Sequence, residues 1–425
     1  MYEGSTSVIH TGPLKPSAPP RRGSRSFLVS CACALATATI LVVSGTDGRA
    51  QDFNAAPPNA PDQRPAFAGQ TRAPVIEDGL DLDAQVVADG LVHPWGMDQL
   101  PDGSWLVTER PGRLRLVSFD GNVSAPIAGL PEVDARGQGG LLDVVIRDDF
   151  VRTRQLWWSY AEPRGEGRNA TAVATGILSE DGSELTEVRV IFRQEPAWAS
   201  TAHFGSRLVF DRDGMLFVTT GERSQPQPRV LAQDVSTHLG KVLRIDPEGG
   251  AAEGNPEIEG GQPEIWSYGH RNLQSAALAP DGSLWTAEHG PRGGDELNHP
   301  QAGLNYGWPI ITYGQDYSGG PIGEGLTSRD SMEQPVYYWD PVIAPGGMTF
   351  YEGDLFPEWQ GDLLIGGLAS QALVRLTLAD GRVTGEARYL QGQDRIRDVD
   401  VAQDGAIMVL TDAENGALIR LTPSL

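Results

Sequence analysis

The chain has 425 residues, with 56 Asp and Glu against 33 Lys and Arg, for a formal charge of −23. That charge argues against nucleic acid or an anionic membrane as a partner. Glycine (52) and proline (31) are abundant beside an ordinary hydrophobic content of 40%. This is the composition of many short strands joined by tight turns, and the length suits one large β domain or two medium ones.

Residues 1–50 read as a secretion signal peptide. Arg21-Arg22-Gly23-Ser24-Arg25 is a basic stretch, Ser26 to Ser44 is an apolar run rich in Ala, Val and Leu, and Gly48-Arg49-Ala50 offers a cleavage site. The paired arginines are compatible with the twin-arginine route. The apolar run, about nineteen residues, is also long enough for an uncleaved anchor. Both cysteines, Cys31 and Cys33, lie inside it, so cleavage leaves a chain without disulfides. The signal predicts a periplasmic or secreted protein with no stable membrane insertion once it is removed. Residues 51–80, rich in Pro, Ala and Gln, are expected to form a flexible leader.

From residue 81 to 425 one phrase recurs, an Asp-Gly turn followed by a short alternating strand. It appears at Asp102-Gly103, Asp213-Gly214, Asp281-Gly282 and Asp404-Gly405. Asp-Gly supplies the positive φ of a two-residue hairpin. The strand after it often carries an Arg between apolar residues, as in Leu114-Arg115-Leu116, Leu243-Arg244-Ile245 and Ile419-Arg420-Leu421. Gln155 to Tyr160 and Gly361 to Gly366 look like divergent copies of the first strand of the phrase. Units fall near residues 92–117, 140–178, 205–245, 265–288, 346–377 and 396–421, with no amphipathic helix of three turns among them. Repeated four-strand units without helices predict an all-β fold, a six-bladed β-propeller of four-stranded antiparallel blades; a pair of β-sandwiches is the alternative. Ala84 to Ala88 is placed as an outer strand closing the ring with the last blade.

Several polar constellations sit beside these strands. Arg136-Gly137-Gln138-Gly139-Gly140 is a glycine-rich turn entering the second unit, without the spacing of a phosphate loop; it reads either as a plain tight turn or as one whose Gln138 donates to a ligand. His203 precedes the first strand of the third unit, where a histidine serves either as a general base or as a hydrogen-bonded structural residue. Arg271, in Gly269-His270-Arg271-Asn272, suits either polarising a carbonyl or a salt bridge at a blade edge. Glu288 to Asn298, running on to Asn305-Tyr306-Gly307-Trp308-Pro309, mixes turn carbonyls with Asp295 and Glu296, a donor set that suits Ca²⁺; the alternative is an acidic surface loop. Arg395 and Arg397 alternate along a strand and so share a face, calling for an anionic partner: a bound carboxylate, or neighbouring Asp394 or Asp398.

In order, Gly137 to Leu142, His203 to Leu208, Gly269 to Asn272, Glu288 to Pro291, Asp295 to Asn298, Asn305 to Pro309 and Arg395 to Asp398 make the chain resemble the soluble quinoprotein aldose dehydrogenases of the glucose/sorbosone dehydrogenase type. The resemblance spans residues 85–421. It implies a six-bladed propeller that uses pyrroloquinoline quinone (PQQ) and Ca²⁺ to oxidise aldoses at C1 to lactones, passing electrons to an external acceptor. It makes His203 the base. It sets Arg271 and Asn272 on the quinone, with Gln138 lining the pocket and Arg395 and Arg397 on the cofactor carboxylates. The main-chain oxygens of Gly290 and Pro291 would bind a catalytic Ca²⁺, while Glu296 and Tyr306 would bind a second, structural one. Tyr317 matches an aromatic near the cofactor.

The chain departs from the family pattern at Gly367-Leu368-Ala369-Ser370, where the family often has a lysine against the cofactor. Ala369 supplies no charge, leaving Leu368, Ala369 and Ser370 to touch the quinone through backbone or hydroxyl. Ala202, in place of an acidic side chain before the base, favours a broad aldose dehydrogenase over a glucose-specific one. A Ca²⁺-dependent lactonase-type hydrolase and a non-catalytic binding propeller are the alternatives, since propellers host many activities.

Overall fold

The computed structural model describes residues 52–424. The signal segment and both cysteines lie outside the described residues. Six antiparallel sheets form the blades of a propeller. Blade 1 has strands Pro94–Gln99, Trp105–Glu109 and Arg113–Val117, and an isolated Val117–Val123 pairing stands where a fourth strand would be. Blade 2 runs from Leu141–Ile146 to Leu185–Arg193, blade 3 from Gly205–Phe210 to Ile265–Tyr268, blade 4 from Leu273–Leu278 to Tyr337–Trp339, and blade 5 from Pro345–Phe350 to Arg382–Tyr389. Blade 6 combines Ile396–Val401, Ile407–Thr411 and Gly416–Pro423 with Leu82–Leu91, whose Ala84 faces Leu421 and whose Val86 faces Ile419. The N-terminal strand thus closes the ring, as placed from sequence.

The Asp-Gly turns join the first and second strands of blades 1, 3, 4 and 6, with φ of +80° to +87° at their glycines. The second strands are apolar runs because a neighbouring blade covers each face, and in blades 1, 3, 4, 5 and 6 every residue of that strand is buried. The core lies between blades: Trp285 and Leu297 of blade 4, for example, pack with Met348 and Ile365 of blade 5. Each such aliphatic side chain contributes roughly 1.5–3 kcal/mol by leaving water.

Two expectations need correction. Ile265–Tyr268 pairs with Lys241–Ile245 and is the last strand of blade 3, so the fourth unit begins at Leu273 rather than residue 265. Gln155–Pro163 and Leu363–Gly367 are the second strands of blades 2 and 5, equivalent to the strands that follow the Asp-Gly turns, as expected. Residues 52–78, expected to be a flexible leader, form a strap against blades 4 and 5. Gln70 is fully buried; its carbonyl accepts from Tyr338 N at 2.8 Å and its Nε2 donates to the Pro335 carbonyl at 2.9 Å. Ala73 N donates to the Tyr337 hydroxyl at 2.9 Å, and Asp78 pairs with Arg375 at 2.6 Å. Composition misled here because specific hydrogen bonds hold the segment, not a hydrophobic pattern.

The first strands of the six blades pack against one another around the axis. Each is irregular near its start, where its register against the second strand shifts: Pro94/Met97, Leu141/Val144, Leu273/Ser275, Pro345/Met348 and Ile396/Asp398, and in blade 3 at Val218/Thr220 opposite Gly205. Bulges at a rim re-aim side chains, and six of them crown the mouth of the channel.

Candidate active site

The residues that enter these first strands supply the mouth. His203, immediately before blade 3, takes a φ of +51°. Its backbone N donates to Gln138 Oε1 at 2.8 Å, which brings the glycine-rich turn of blade 2 against it. Its Nδ1 lies 3.0 Å from Oε1 of Glu222, a buried carboxylate just beyond the second strand of blade 3. Burial pushes the Glu222 carboxyl upward, yet the His203 hydrogen bond, with Arg271 nearby, holds it below the usual range. An ionised Glu222 only accepts, so Nδ1 carries the proton and Nε2 keeps a free lone pair. Burial, reinforced by the Arg271 charge and opposed by Glu222, brings the His203 pKa down to about 4. The imidazole is therefore neutral at pH 7. No sequence pattern singled out Glu222.

Arg271 and Asn272 enter blade 4. The Arg271 backbone N donates to Glu288 at 2.5 Å, and the same carboxylate takes a 2.9 Å hydrogen bond from His270 Nδ1. Arg271 Nη1 donates to the carbonyls of His289 and Gly290, both at 2.7 Å, and its guanidinium lies 5.2 Å from the Trp308 ring centre. Asn272 Oδ1 accepts from Gly205 N at 3.1 Å, locking blade 4 to blade 3. His289 donates from Nε2 to the Pro345 carbonyl at 2.7 Å. Burial, against that hydrogen bond and with Arg271 and Arg397 close by, brings its pKa down to about 3. His289 belongs to the Glu288–Asn298 loop, and its neutral Nδ1 is a further acceptor at the mouth.

Arg397 and Arg395 enter blade 6. Alternation set Ile396 with Asp398 on one face, but the bulge between them breaks that alternation. Ile396 packs in the core, while Asp398 turns to the channel and meets Arg207 at 3.0 Å. Arg397 points to the channel as well, donating to Gln274 Oε1 at 2.9 Å and to Asp412 at 2.8 Å. Arg395 reaches the same Asp412 at 3.3 Å and the Leu368 carbonyl at 3.2 Å. The carboxylate shared by the two arginines is thus Asp412, not Asp394 or Asp398. Leu368, Ala369 and Ser370 form the turn after the second strand of blade 5, with Ala369 N donating to the Ile343 carbonyl at 2.8 Å. The Ser370 hydroxyl is buried without a partner.

The loop from Gly290 to Gly294 is folded by Asp295. One carboxylate oxygen accepts from Gly290 N and the other from Ala344 N, each at 2.7 Å. Asp295 is therefore spent on backbone rather than left as an open ligand. Glu296 and Tyr306 gather elsewhere, inside blade 4 around Glu288. Tyr306 stacks on His270 at 4.8 Å, and burial together with the Glu288 charge pushes the Glu296 carboxyl well above its ordinary value. Tyr317 stands on a surface loop and is 71% exposed.

The residues present fit the cofactor and metal that the resemblance implies. Arg271 Nε, Asn272 Nδ2 and Arg397 Nε are buried without partners. Buried donors of this kind call for an acceptor, and a flat tricarboxylate quinone is rich in them. Among the described residues no cluster of three or more His, Cys, Asp or Glu side chains is arranged around a metal, so a cation at the mouth would rely on main-chain oxygens such as those of Gly290 and Pro291. The Glu288–Glu296 pair suits a second cation, because two buried carboxylates side by side repel each other without one.

The sequence pattern of the family described as Glucose / Sorbosone dehydrogenase matches residues 91–420. The chain belongs to that family. The aldose sugar dehydrogenase YliI of Escherichia coli K12 is 45% identical over 349 residues, covering 80% of this chain and 93% of its own. The crystal structure of the soluble aldose sugar dehydrogenase of E. coli in its apo-form superposes with a TM-score of 0.78 at 43% identity, covering 81% of this chain and all of that one. The PQQ-bound form of the aldose sugar dehydrogenase of Streptomyces coelicolor superposes with a TM-score of 0.67 at 27% identity, covering 80% and 99%. This glucose/sorbosone dehydrogenase homologue is accordingly an oxidoreductase acting on CH–OH groups, built on the propeller of PQQ quinoproteins.

Proposed function

We propose that this dehydrogenase oxidises aldoses at C1 to lactones, with PQQ and Ca²⁺ as cofactors and His203 as the general base. The bound quinone would accept hydride from C1, with Ca²⁺ polarising its carbonyl as a Lewis acid. His203 Nε2 would receive the proton of the C1 hydroxyl. Glu222 would hold the ring in that tautomer and stabilise the imidazolium that forms. Arg271 would direct its free Nε toward the quinone oxygen while the His289 and Gly290 carbonyls fix its reach. Asn272 would donate from Nδ2, Arg395 and Arg397 would neutralise the cofactor carboxylates, and Gln138 would brace His203. Leu368, Ala369 and Ser370 would line the pocket through backbone and the Ser370 hydroxyl. Gly290 and Pro291 would offer carbonyls to the catalytic Ca²⁺, Glu296 and Tyr306 to a structural one, and Tyr317 would border the opening. Electrons would pass to an external acceptor, and the signal segment would export the enzyme to the periplasm or beyond.

The observation that carries this reading is the pairing of a neutral His203, its Nε2 free, with the partnerless buried donors of Arg271, Asn272 and Arg397. The test loads the purified protein with PQQ and Ca²⁺ and follows dye reduction with a panel of aldoses. Activity that needs both additions and disappears in His203→Ala is the expected result. No activity across the panel, or an unchanged rate in His203→Ala, would sink the reading. Lactone hydrolysis without quinone would point to the hydrolase instead.

A further inference from the structure

The strap formed by residues 52–78 does more than clip two blades together. At its tip Asn59 and Ala60 both donate their backbone N–H groups to the carboxylate of Asp340, the Ala60 bond measuring 3.0 Å. Asn59 then reaches two more segments: its Oδ1 accepts from Val342 N at 3.1 Å and its carbonyl accepts from Gln315 Nε2 at 2.7 Å. Arg72, further along the strap, donates to the Ala56 and Asp340 carbonyls, each at 2.9 Å, and so folds the tip back on itself.

What this tip covers is the back of the Gly290–Gly294 loop. A Cβ built on Gly293 would stand 3.2 Å from the Ala60 Cβ and 3.2 Å from Asp340 Oδ1, so strap and loop are in close contact. The loop is pinned from two further sides. Gly294 N donates to the Trp339 carbonyl at 3.0 Å, and Arg292 exchanges two backbone hydrogen bonds of 3.0 and 2.9 Å with Gln315. Gln315 is itself held by Asn59. Asn59 and Ala60 therefore reach the loop through Gln315 and Asp340, while Trp339, Asp295 and Arg271 hold it from other sides.

We infer that Asn59, Ala60 and Asp340 are positioning residues for the Gly290–Gly294 loop, holding its carbonyls in the geometry that a cation requires. The inference rests on the metal role given to Gly290 and Pro291 above. A carbonyl that must meet a cation within a few tenths of an ångström depends on what stands behind it, and losing such outer support typically costs about 10–100-fold in metal affinity.

The experiment compares the chain free of metal and quinone with Asp340→Ala and Asp340→Asn, and with Arg382→Ala as a control. Arg382 stacks on Phe67 of the strap at 3.9 Å, away from the tip. Two readouts are taken: backbone hydrogen exchange along the chain, and calorimetric titration with Ca²⁺ alone. The expected result in Asp340→Ala is faster exchange at Asn59 and Ala60, whose N–H groups lose their acceptor, and beyond the strap only at residues 289–294 and 313–315. Ca²⁺ binding should weaken by about tenfold or more, with Asp340→Asn intermediate and Arg382→Ala like wild type. Unchanged exchange in the loop would overturn the inference. So would exchange that rises equally in all six blades, which would make the strap a general clamp. If the unmodified chain binds no Ca²⁺, the metal reading of Gly290 and Pro291 falls, while the exchange pattern still decides whether the strap positions the loop.

Discussion

His203 Nδ1 and Glu222 Oε1 stand 3.0 Å apart inside blade 3. Glu222 raises the affinity of His203 for a proton, against burial and Arg271, which lower it. Glu222→Gln keeps the shape but removes the charge and leaves an amide able to present the wrong group to Nδ1. The His203 pKa then falls further below about 4. The expected outcome is a kcat lower by about 10²–10⁴-fold, the range for losing effective general-base catalysis. The acid limb of kcat/KM should move to lower pH, because a weaker base loses its proton more readily. A pH–rate profile of the loaded enzyme checks both; an acid limb that moves upward contradicts the dyad.

The two arginines entering blade 6 are unequal. The Arg397 side chain is 7% exposed and that of Arg395 is 47% exposed, although both meet Asp412. Removing a buried hydrogen-bonded charge costs about 2 kcal/mol or more, whereas an exposed ion pair is worth under about 1 kcal/mol. Arg397→Ala should weaken PQQ binding by about 30-fold or more and Arg395→Ala by less than about fivefold, as read by titration of the Ca²⁺-loaded protein with quinone. Arg397→Lys should fall between, since an ammonium cannot span both Gln274 and Asp412. Equal losses from the two alanine variants would remove the distinction.

How much of this was legible in the sequence follows from where each signal lives. Asp-Gly turns mark second strands, so hairpins and blade number are visible along the chain. Residues just ahead of a first strand land at the mouth, so His203 can be placed once the units are counted, whereas only the family resemblance sets Arg271 there. The phase of the fourth unit was not visible, because Ile265–Tyr268 is as strand-like as Leu273–Leu278 and only pairing with Lys241–Ile245 assigns it. Glu222 and Asp412 escaped notice because each acts on a residue brought to it by the fold, 19 positions away for Glu222 and 15 or 17 for Asp412. The bulge at Ile396/Asp398 defeated a period-two reading of Arg395 to Asp398. The strap was hidden by its composition, since Gln70 and Asn59 hold it with polar contacts that leave no apolar period.

Glu296 offers a test with opposite signs in two states. Burial and the neighbouring Glu288 raise its carboxyl well above the ordinary value of 4.5. In the folded metal-free protein its charge is therefore a liability that accrues as pH rises from that value through the folded pKa. Glu296→Gln should raise the thermal midpoint of the metal-free protein, more at pH 8 than at pH 5. The same variant should lose the part of the Ca²⁺-induced rise in midpoint that a structural ion at Glu296 supplies. Thermal unfolding with and without Ca²⁺ reads both; a Gln variant that keeps the full Ca²⁺ response would mean that Glu296 is no ligand.

Below the mouth, a cavity of about 240 Å³ is lined by Asp98, Asp143, Asp398, Asp400 and Arg207. Arg207 is shared between Asp143 and Asp398, each at 3.0 Å, and serves neither of the other two. Burial, with Asp398 and Asp143 close, pushes the Asp400 pKa up to about 7 from 3.8. The folded state then holds a proton that the unfolded state releases, so stability is lost as pH rises from about 3.8 to about 7 and the loss is constant above that. His203 has the opposite sign in an overlapping window, since its folded pKa of about 4 lies below the unfolded 6.5 and stability is lost as pH falls between them. A single unfolding curve mixes the two effects. The difference between Asp400→Asn and wild type cancels the histidine contribution and isolates the aspartate. Asparagine keeps an oxygen for the 2.8 Å hydrogen bond from Val401 N. The stability gain of Asp400→Asn should therefore grow between about pH 4 and pH 7 and level off above, in thermal or urea unfolding of the metal-free chain. A gain independent of pH would show that Asp400 carries its ordinary charge, with water in the channel compensating for its burial.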